Sequence, residues 1–526
     1  MFKSDVLLKN KECILIGKIE ECERFYCCFH NKYNIKHIVL EKGKENEVRL
    51  DGYDNLFVTY FDIEANLNDY YLILCEETNI GNNQWDDILY KKGFYYKDDY
   101  IDSFYIYMIN SEEKRKNLQN KEIWIFGAGD NGYQFWNEFH EEYNICGFVS
   151  NYENENEKCG LPVVRLNKIA NGDDKFIVIC SNYEIDMYDQ LLQLGKSEEK
   201  DFTFSEFFSK KLFIGIGACE ISDITDMLKQ NRSFKSRFVS MIFGETPMNY
   251  TRMANRMRLK VFADFCDVFL YQTRNLNTSD ELDYSLMLKE NNKALKIQVP
   301  FYYFQGIYMQ MNVPKTEKKE FSIMCSEGAF SNHAIYCYNM DKEILLMVEN
   351  GLEDEEICSK ILSDNYFSKE EVLRNFDLSV KALEILDMFS DIKIKPFLLD
   401  NYKRIPVFTD AIHFGPELSI YLANKVAQQI GIRDIDNDDA VKLIEQFKKY
   451  HNFNLYIYPS VAKALELEYW NNELEYQNTP YEHGKGIKMR EYVMKQIKFV
   501  KKVNDLWNWL GAAKEDSLRN GDIRKE

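Results

Sequence analysis

An apolar run that ends in glycine occurs twice in this 526-residue chain, at an offset of 110 residues (127 − 17). Residues 13–17 read Cys-Ile-Leu-Ile-Gly, and residues 123–127 read Ile-Trp-Ile-Phe-Gly. Such a run is typical of a buried parallel strand that enters a tight turn. Both copies share the pattern His-x-x-Tyr-Asn-Ile, formed by His30, Tyr33, Asn34 and Ile35 and by His140, Tyr143, Asn144 and Ile145. Four identities at one offset predict an internal duplication.

Further apolar runs follow each glycine, as repeated strand–helix–strand units would require. They are residues 36–40 and 71–75 in the first copy, and residues 146–150 and 176–180 in the second. Parallel strands that alternate with helices predict an α/β fold. We therefore expect two tandem Rossmann-like modules, an SGNH-like α/β domain and a helical C-terminal segment, over residues 1–110, 118–208, 211–432 and 433–526.

The second copy carries a G-x-G-x-x-G pattern directly after its first strand, which we call the glycine-rich turn. It consists of Gly127, Ala128, Gly129, Asp130, Asn131 and Gly132. Glycines at this spacing let a phosphate approach a helix N-terminus, so the pattern predicts a nucleotide or nucleotide-sugar site. The ribose-binding acid is replaced by Ser150 and Asn151, which argues against NAD-linked chemistry. The alternative is that the glycines only allow the helix to pack on the sheet, and the first copy keeps Gly17 alone.

A cysteine follows another apolar run, over residues 212–216, in the sequence Gly217-Ala218-Cys219-Glu220. Apolar residues at helical spacing come next, so Cys219 is predicted at or near the N-terminus of a helix. The helix dipole favours a thiolate at that place, and the adjacent Glu220 opposes it. The alternative reading is a small buried residue that fills the turn.

Asp410 and His413 have the spacing Asp-x-x-His, close before a predicted helix. On a loop, this spacing lets a carboxylate hold one imidazole tautomer while the other ring nitrogen faces a nucleophile. The alternative is a histidine that enters the helix and is bonded to the backbone. A separate apolar strand, residues 266–272, ends in the polar amide of Gln272.

Residues 211–432 resemble the WcbI-type family of acetyltransferases in capsular polysaccharide biosynthesis, which has an SGNH-hydrolase-like fold. The likeness lies in the Cys219 segment, in a strand that ends at Gln272, and in Arg404–Phe408 followed by His413-Phe414. The chain departs from the family pattern at four places. Ala218 and Glu220 stand for Asn and Gln, Phe414 for Pro, and Gly306-Ile307-Tyr308-Met309 for Gly-x-His-Pro.

The resemblance implies a nucleophile at Cys219, a base at His413 and an orienting carboxylate at Asp410. It also implies an oxyanion site formed by the Cys219 N–H, Gly244 and the Gln272 amide. The implied reaction moves acetyl from coenzyme A to a sugar hydroxyl of a carbohydrate or nucleotide-sugar acceptor. The second module also resembles small Rossmann-like domains found beside capsule-synthesis enzymes, through Ile-Phe-Gly-Ala-Gly and Gly-Phe-Val-Ser-Asn. A carbohydrate esterase of SGNH type, or a non-catalytic scaffold that binds a nucleotide-sugar or coenzyme A, remain alternatives.

Charge and cysteine usage exclude several other classes of protein. Lys and Arg number 66 against 85 Asp and Glu, a net charge of −19, which opposes binding to nucleic acid or anionic membrane. The 13 cysteines show neither a Cys-x-x-Cys pair nor zinc-finger spacing, so no metal is expected. Free thiols and the lack of a signal peptide or a long apolar run predict a cytoplasmic protein without a transmembrane segment. A homo-oligomer stays open.

Overall fold

In a computed structural model the chain forms two compact units. The first comprises residues 1–271, 279–297 and 427–433, and the second comprises residues 272–278, 298–426 and 434–526. The structure describes residues 11–17, 22, 25–26, 29–30, 32–40, 57–60, 70–75, 89, 94–96, 98–103, 105–108, 118, 120–152, 157–169, 174–181, 183–197, 200–205, 208, 210–244, 259, 262–263, 266–273, 293–300, 304–310, 322–324, 334–336, 341–411, 413–450, 455–479 and 483–519.

Two of the sheets in the first unit have the same strand order. The strands of the first sheet are β1 (Cys13–Gly17), β2 (Ile35–Leu40), β3 (Phe57–Tyr60), β4 (Tyr71–Cys75) and β5 (Tyr100–Asp102). Those of the second sheet are β6 (Glu122–Phe126), β7 (Ile145–Val149), β8 (Glu157–Lys158), β9 (Leu161–Val164), β10 (Lys175–Ile179) and β11 (Phe202–Phe204). The orders are β3-β2-β1-β4-β5 and β9-β7-β6-β10-β11, with β8 added antiparallel at the edge. The strands of these five-strand series are parallel.

The two sheets also agree residue by residue around the glycine that ends the central strand. Gly17 has φ +148° and Gly127 has φ +124°, a region that disfavours side chains. A Cβ on Gly17 would lie 2.0 Å from the carbonyl oxygen of Cys75, and one on Gly127 would lie 2.3 Å from that of Cys180. A side chain at Gly17 or Gly127 would collide with the backbone of the neighbouring chain segment, so both positions require glycine for the same reason.

The shared histidines make the same contact in both copies. Nδ1 of His30 lies 3.0 Å from the carbonyl oxygen of Tyr26, and Nδ1 of His140 lies 3.0 Å from that of Trp136. Each imidazole also stacks on the ring of that aromatic residue. The repeated pattern in the sequence therefore corresponds to a repeated local structure.

The third sheet of the first unit has the order β13-β12-β14-β15. Its strands are β12 (Lys211–Gly217), β13 (Phe238–Gly244), β14 (Val268–Thr273) and β15 (Leu295–Pro300). β12 pairs in parallel with both β13 and β14. The helices of this unit are α1 (Asp130–Phe139), α2 (Leu166–Ile169), α3 (Glu184–Gln193), α4 (Cys219–Gln230) and α5 (Arg232–Arg237). One cluster of buried side chains joins the three sheets.

The second unit is mainly helical in the part that the structure describes. Its helices are α6 (Lys342–Glu349), α7 (Asp354–Ile361), α8 (Lys369–Met388), α9 (Lys395–Asn401), α10 (Pro416–Gln429), α11 (Asn437–Tyr450), α12 (Pro459–Leu465) and α13 (Met489–Arg519). Two antiparallel pairs accompany them, β16 (Ser322–Met324) with β17 (Ala334–Tyr336) and β18 (Glu475–Asn478) with β19 (His483–Lys488). The basic residues of α13 form ion pairs with α7, through Arg490 to Glu355 and Lys501 to Asp354.

Parallel sheets together with helices confirm the α/β fold class predicted from the sequence. Among the described residues, no helix combines the length and apolar character that crossing a membrane requires.

Candidate functional site

Cys219 is the first residue of α4, two positions after β12 ends at Gly217. Ala218 is the N-cap in an extended conformation, and its methyl side chain cannot cap the helix. The thiol-bearing residue is exposed to solvent. It lies where the free N–H groups of a helix N-terminus are found. The strand–turn–helix predicted from the sequence is therefore present, and Cys219 is not a buried residue that fills the turn.

The strands beside β12 end at the same edge of the sheet. Gly217 is paired in register with Gly244, the last residue of β13. Ile216 is paired with Tyr271, the residue that precedes Gln272 in β14. Gln272 is buried. Parallel pairing thus brings Gly217 and Gly244 together at the carboxyl edge of this sheet, where ligands of α/β proteins bind.

Two carboxylates on the first turns of α4 are buried, Glu220 and Asp223. Glu220 was expected beside Cys219 from the sequence alone. Asp223 was missed, although its spacing of four residues puts it on the same face of the helix as Cys219. Burying a charged carboxylate costs free energy unless partners compensate for it, so acids on surface turns are usually exposed. The two buried acids therefore distinguish the start of α4 from an ordinary surface turn.

Asp410 and His413 form a bonded pair in the second unit. Oδ2 of Asp410 lies 2.7 Å from Nδ1 of His413, and Oδ1 accepts the backbone N–H of His413 at 2.8 Å. The Asp410 side chain is 4% exposed, whereas the His413 ring is 27% exposed. Because a carboxylate can only accept, Nδ1 carries the proton and Nε2 keeps its lone pair. The imidazole is therefore set up to accept a proton through Nε2.

A short hairpin-like loop carries this pair. The backbone N–H of Thr409 donates to the carbonyl of His413 at 3.0 Å, and that of Gly415 donates to Val407 at 2.8 Å. A Cβ on Gly415 would lie 2.2 Å from the carbonyl oxygen of Pro406, so the loop closes only with glycine there. These backbone hydrogen bonds thus hold Asp410 and His413 in one local geometry.

Three hydrogen bonds from segments distant in the sequence support this loop. The hydroxyl of Tyr308 donates to the carbonyl of Phe408 at 2.8 Å. The backbone N–H of Phe304 donates to Ala411 at 2.7 Å, and that of Leu455 donates to Thr409 at 3.2 Å. These contacts join segments that are distant in the sequence. Local sequence patterns therefore could not predict these contacts.

Tyr308 stands where the resemblance expected the histidine of Gly-x-His-Pro. Burial, and then the neighbouring Tyr469 and Asp410, raise the pKa of Tyr308 well above its ordinary value. Tyr308 is consequently a neutral hydrogen-bond donor. It supports the backbone beside Asp410.

The three glycines of the glycine-rich turn have different surroundings. Gly127 contacts the neighbouring strand, and a Cβ on Gly132 would lie 1.8 Å from the carbonyl oxygen of Gly127. A Cβ on Gly129 would meet no atom of the described residues within 4 Å, apart from its own chain neighbours. Lys158 donates to the carbonyls of Ala128 and Gly129, at 3.3 Å for the latter. Two glycines are therefore required for packing, while Gly129, the N-cap of α1, faces open space.

Asp130 and Asn131 are the first two residues of α1. Among the described residues, no group of three or more His, Cys, Asp or Glu side chains is arranged to hold a metal ion.

Among solved structures, the chain has distant structural matches. No family model and no curated protein matches the chain. A solved structure of WcbI, described as a novel polysaccharide biosynthesis enzyme, is 15% identical in sequence with a TM-score of 0.43. The match covers 58% of this chain and 95% of that chain. That structure is of the native protein without a disulfide bond between coenzyme A and a cysteine.

Proposed function

We propose that this chain is an acyltransferase in which His413 is the general base and Cys219 is the nucleophile. The observation that carries the proposal is the Asp410–His413 pair, in which both carboxylate oxygens are used on one histidine. The exposed thiol at the N-terminus of α4 supports it. The acetyl donor, coenzyme A, and the acceptor, a sugar hydroxyl in surface-polysaccharide synthesis, come from the family resemblance of the sequence.

The proposed chemistry uses four proton transfers, all through Nε2 of His413. His413 takes the proton of Cys219, and the thiolate attacks the thioester carbonyl carbon of acetyl-coenzyme A. The C–S bond to coenzyme A breaks, and the imidazolium returns the proton to the departing thiolate. His413 then takes the proton of the acceptor hydroxyl, whose oxygen attacks the acetyl-cysteine and releases the Cys219 thiolate, which recovers that proton. In this proposal the Cys219 N–H, Gly244 and the Gln272 amide stabilise the oxyanion.

The proposal requires Cys219 and His413 to act on the same substrate, as the family resemblance of residues 211–432 implies. Incubation with acetyl-coenzyme A and intact-mass measurement should reveal an acetyl group on Cys219. Cys219→Ala and His413→Ala should each lower transfer by a factor of roughly a thousand or more, and the double variant should lose little further. Cys146→Ala, which removes a half-buried thiol of the second sheet, is the matched control.

Three results would change the assignment. Transfer that survives Cys219→Ala overturns the nucleophile and leaves His413 as a base for direct attack by the acceptor. Acyl release at equal rates with and without a sugar acceptor identifies an esterase. Absence of both activities in the unmutated protein leaves the binding scaffold as the better description.

A second function, binding of a nucleotide or nucleotide-sugar by the glycine-rich turn, is favoured by a separate observation. The space in front of Gly129 is open, whereas Gly127 and Gly132 are held by packing. The middle glycine of this pattern is the one that lets a backbone approach a pyrophosphate. Gly129→Val should abolish nucleotide binding and leave the fold intact, as measured by calorimetric titration and circular dichroism.

A further inference from the structure

The tetrapeptide Ser-Asn-Tyr-Glu occurs twice in the chain, at residues 150–153 and 181–184. Both copies come after strands of the second sheet. The first copy directly follows β7, and the second follows Cys180 at the end of β10. β7 and β10 are the two neighbours of β6, which leads into the glycine-rich turn. The two tetrapeptides therefore flank that turn at the carboxyl edge of the sheet.

The serine and the tyrosine make the same local hydrogen bond in both copies. The Ser150 hydroxyl accepts the N–H of Tyr152 at 3.1 Å, and the Ser181 hydroxyl accepts the N–H of Tyr183 at 3.1 Å. Tyr152 is 76% exposed and Tyr183 is 71% exposed. Single exposed aromatic residues are common on proteins. Two in the same local setting, on either side of one turn, are a specific arrangement.

The first copy of the duplication provides an internal comparison. Lys42 and Thr78 stand at the positions equivalent to Tyr152 and Tyr183. Ile19 and Cys22 stand at the positions equivalent to Gly129 and Gly132. The tyrosines are thus absent from the copy whose turn also lacks the glycines, so the two features occur together in one module.

We propose that Tyr152 and Tyr183 bind the ring system of a nucleoside diphosphate whose pyrophosphate lies at the glycine-rich turn. This inference rests on the proposed nucleotide binding and adds the residues that recognise the base or the attached sugar. Neighbouring strands lie about 4.8 Å apart, so β7 and β10 are separated by roughly 10 Å across β6. That separation leaves room for a planar ring between two tyrosine side chains. Tyrosine offers both a flat apolar face and a hydroxyl to such a ring.

The chain direction and the charge at this place fit the same ligand. The chain leaves β6 towards β7 on one side and returns at β10 on the other, which makes the β6–β10 boundary a topological switch point. Lys158 adds a positive charge beside the carbonyls of Ala128 and Gly129.

The test measures binding of UDP, ADP and inorganic pyrophosphate to the full chain by calorimetric titration. Tyr152→Leu and Tyr183→Leu should each weaken UDP or ADP binding about five- to hundredfold, the range found for loss of base stacking on an aromatic side chain. Pyrophosphate binding should be unchanged in both variants and lost in Gly129→Val. Tyr95→Leu, an exposed tyrosine of the first module, is the matched control. A preference for UDP indicates a nucleotide-sugar, and a preference for ADP indicates coenzyme A.

Two outcomes would overturn the inference in distinguishable ways. If both tyrosine variants bind nucleotides as the unmutated protein does while Gly129→Val does not, nucleotide binding stands and the role of the tyrosines is refuted. If the unmutated protein binds none of the three probes, the nucleotide site and the tyrosine assignment are both wrong.

Discussion

Asp410 uses both of its carboxylate oxygens on His413, one on the backbone N–H at 2.8 Å and the other on Nδ1 of the ring at 2.7 Å. The backbone bond fixes the turn, and the ring bond fixes the tautomer. One buried carboxylate thus performs a structural and an electronic task, and substitutions can separate them.

Asp410→Asn should preserve the turn but should no longer hold the His413 ring in the tautomer that has its proton on Nδ1. The amide oxygen of Asn can still accept the His413 N–H, but its NH₂ group cannot accept from Nδ1–H. We expect acetyl transfer to fall on the order of a hundredfold, less than for His413→Ala, because the loop backbone still orients the ring. Steady-state kinetics measure the effect, with Asp400→Asn on the exposed part of α9 as the control. An unchanged rate would show that the tautomer of His413 is irrelevant.

Tyr308→Phe should loosen the loop that carries Asp410 and His413. The substitution removes the hydroxyl that donates to the Phe408 carbonyl and leaves that carbonyl without its side-chain partner. The expected loss of stability is about 1 kcal/mol. We also expect kcat to fall several-fold with KM nearly constant. Tyr421→Phe, which removes a hydroxyl bonded to the Lys393 carbonyl at 3.3 Å, is the control. Equal effects of the two variants on kcat would contradict a positioning role for Tyr308.

Local patterns in the sequence predicted the parts of the structure that depend on near neighbours. An apolar run followed by glycine predicted the central strand of two sheets, since the strand and its turn lie within a few residues. The Asp-x-x-His spacing predicted the Asp410–His413 contact for the same reason. The pairing of Gly217 with Gly244 required knowledge of strand order and register, which single-strand patterns do not contain.

The features that the sequence analysis missed depend on distant segments. Tyr308 and Phe408 are 100 residues apart. The repeated Ser-Asn-Tyr-Glu is visible in the sequence, but its position on both sides of the glycine-rich turn follows only from the strand order. The segment over residues 433–526, expected to be helical, also contains the strand pair of β18 and β19, and its last helix begins at Met489.

Gly132→Ala and Gly129→Ala should differ greatly in their cost to stability, although the two glycines are only three residues apart. A methyl group on Gly132 would meet the Gly127 carbonyl oxygen at 1.8 Å, so α1 must move away from β6. We expect a loss of about 3 kcal/mol or more. Gly129 has φ −76° and open space, so its substitution should cost less than about 0.5 kcal/mol. Denaturant unfolding measures both. A large loss in Gly129→Ala would mean that the turn is packed more tightly than described.

The second unit should lose stability as the pH rises from about 4 to about 6, because the buried Asp341 then loses its proton. Burial raises the pKa of Asp341 from 3.8 to about 6, although the hydroxyls of Tyr456 and Tyr458 and two backbone N–H groups at the start of α6 oppose the rise. An acid whose pKa is higher in the folded state binds its proton more tightly there. Its contribution to stability is therefore complete below the unfolded pKa and is lost as the pH rises through the folded pKa.

The size of this effect is roughly 2 to 3 kcal/mol for a rise of about two pKa units. Asp341→Asn should remove the pH dependence, because an amide does not titrate in this range. Asn also caps helices well, so the N-terminus of α6 should remain intact. The thermal midpoint of unfolding, followed between pH 4 and pH 7, measures the change. Asp377→Asn on the exposed face of α8 is the control, and it should follow the unmutated protein at every pH. If the Asp341→Asn curve also runs parallel to that of the unmutated protein across this window, the buried carboxylate does not exchange its proton on unfolding there and the assignment of its pKa is wrong.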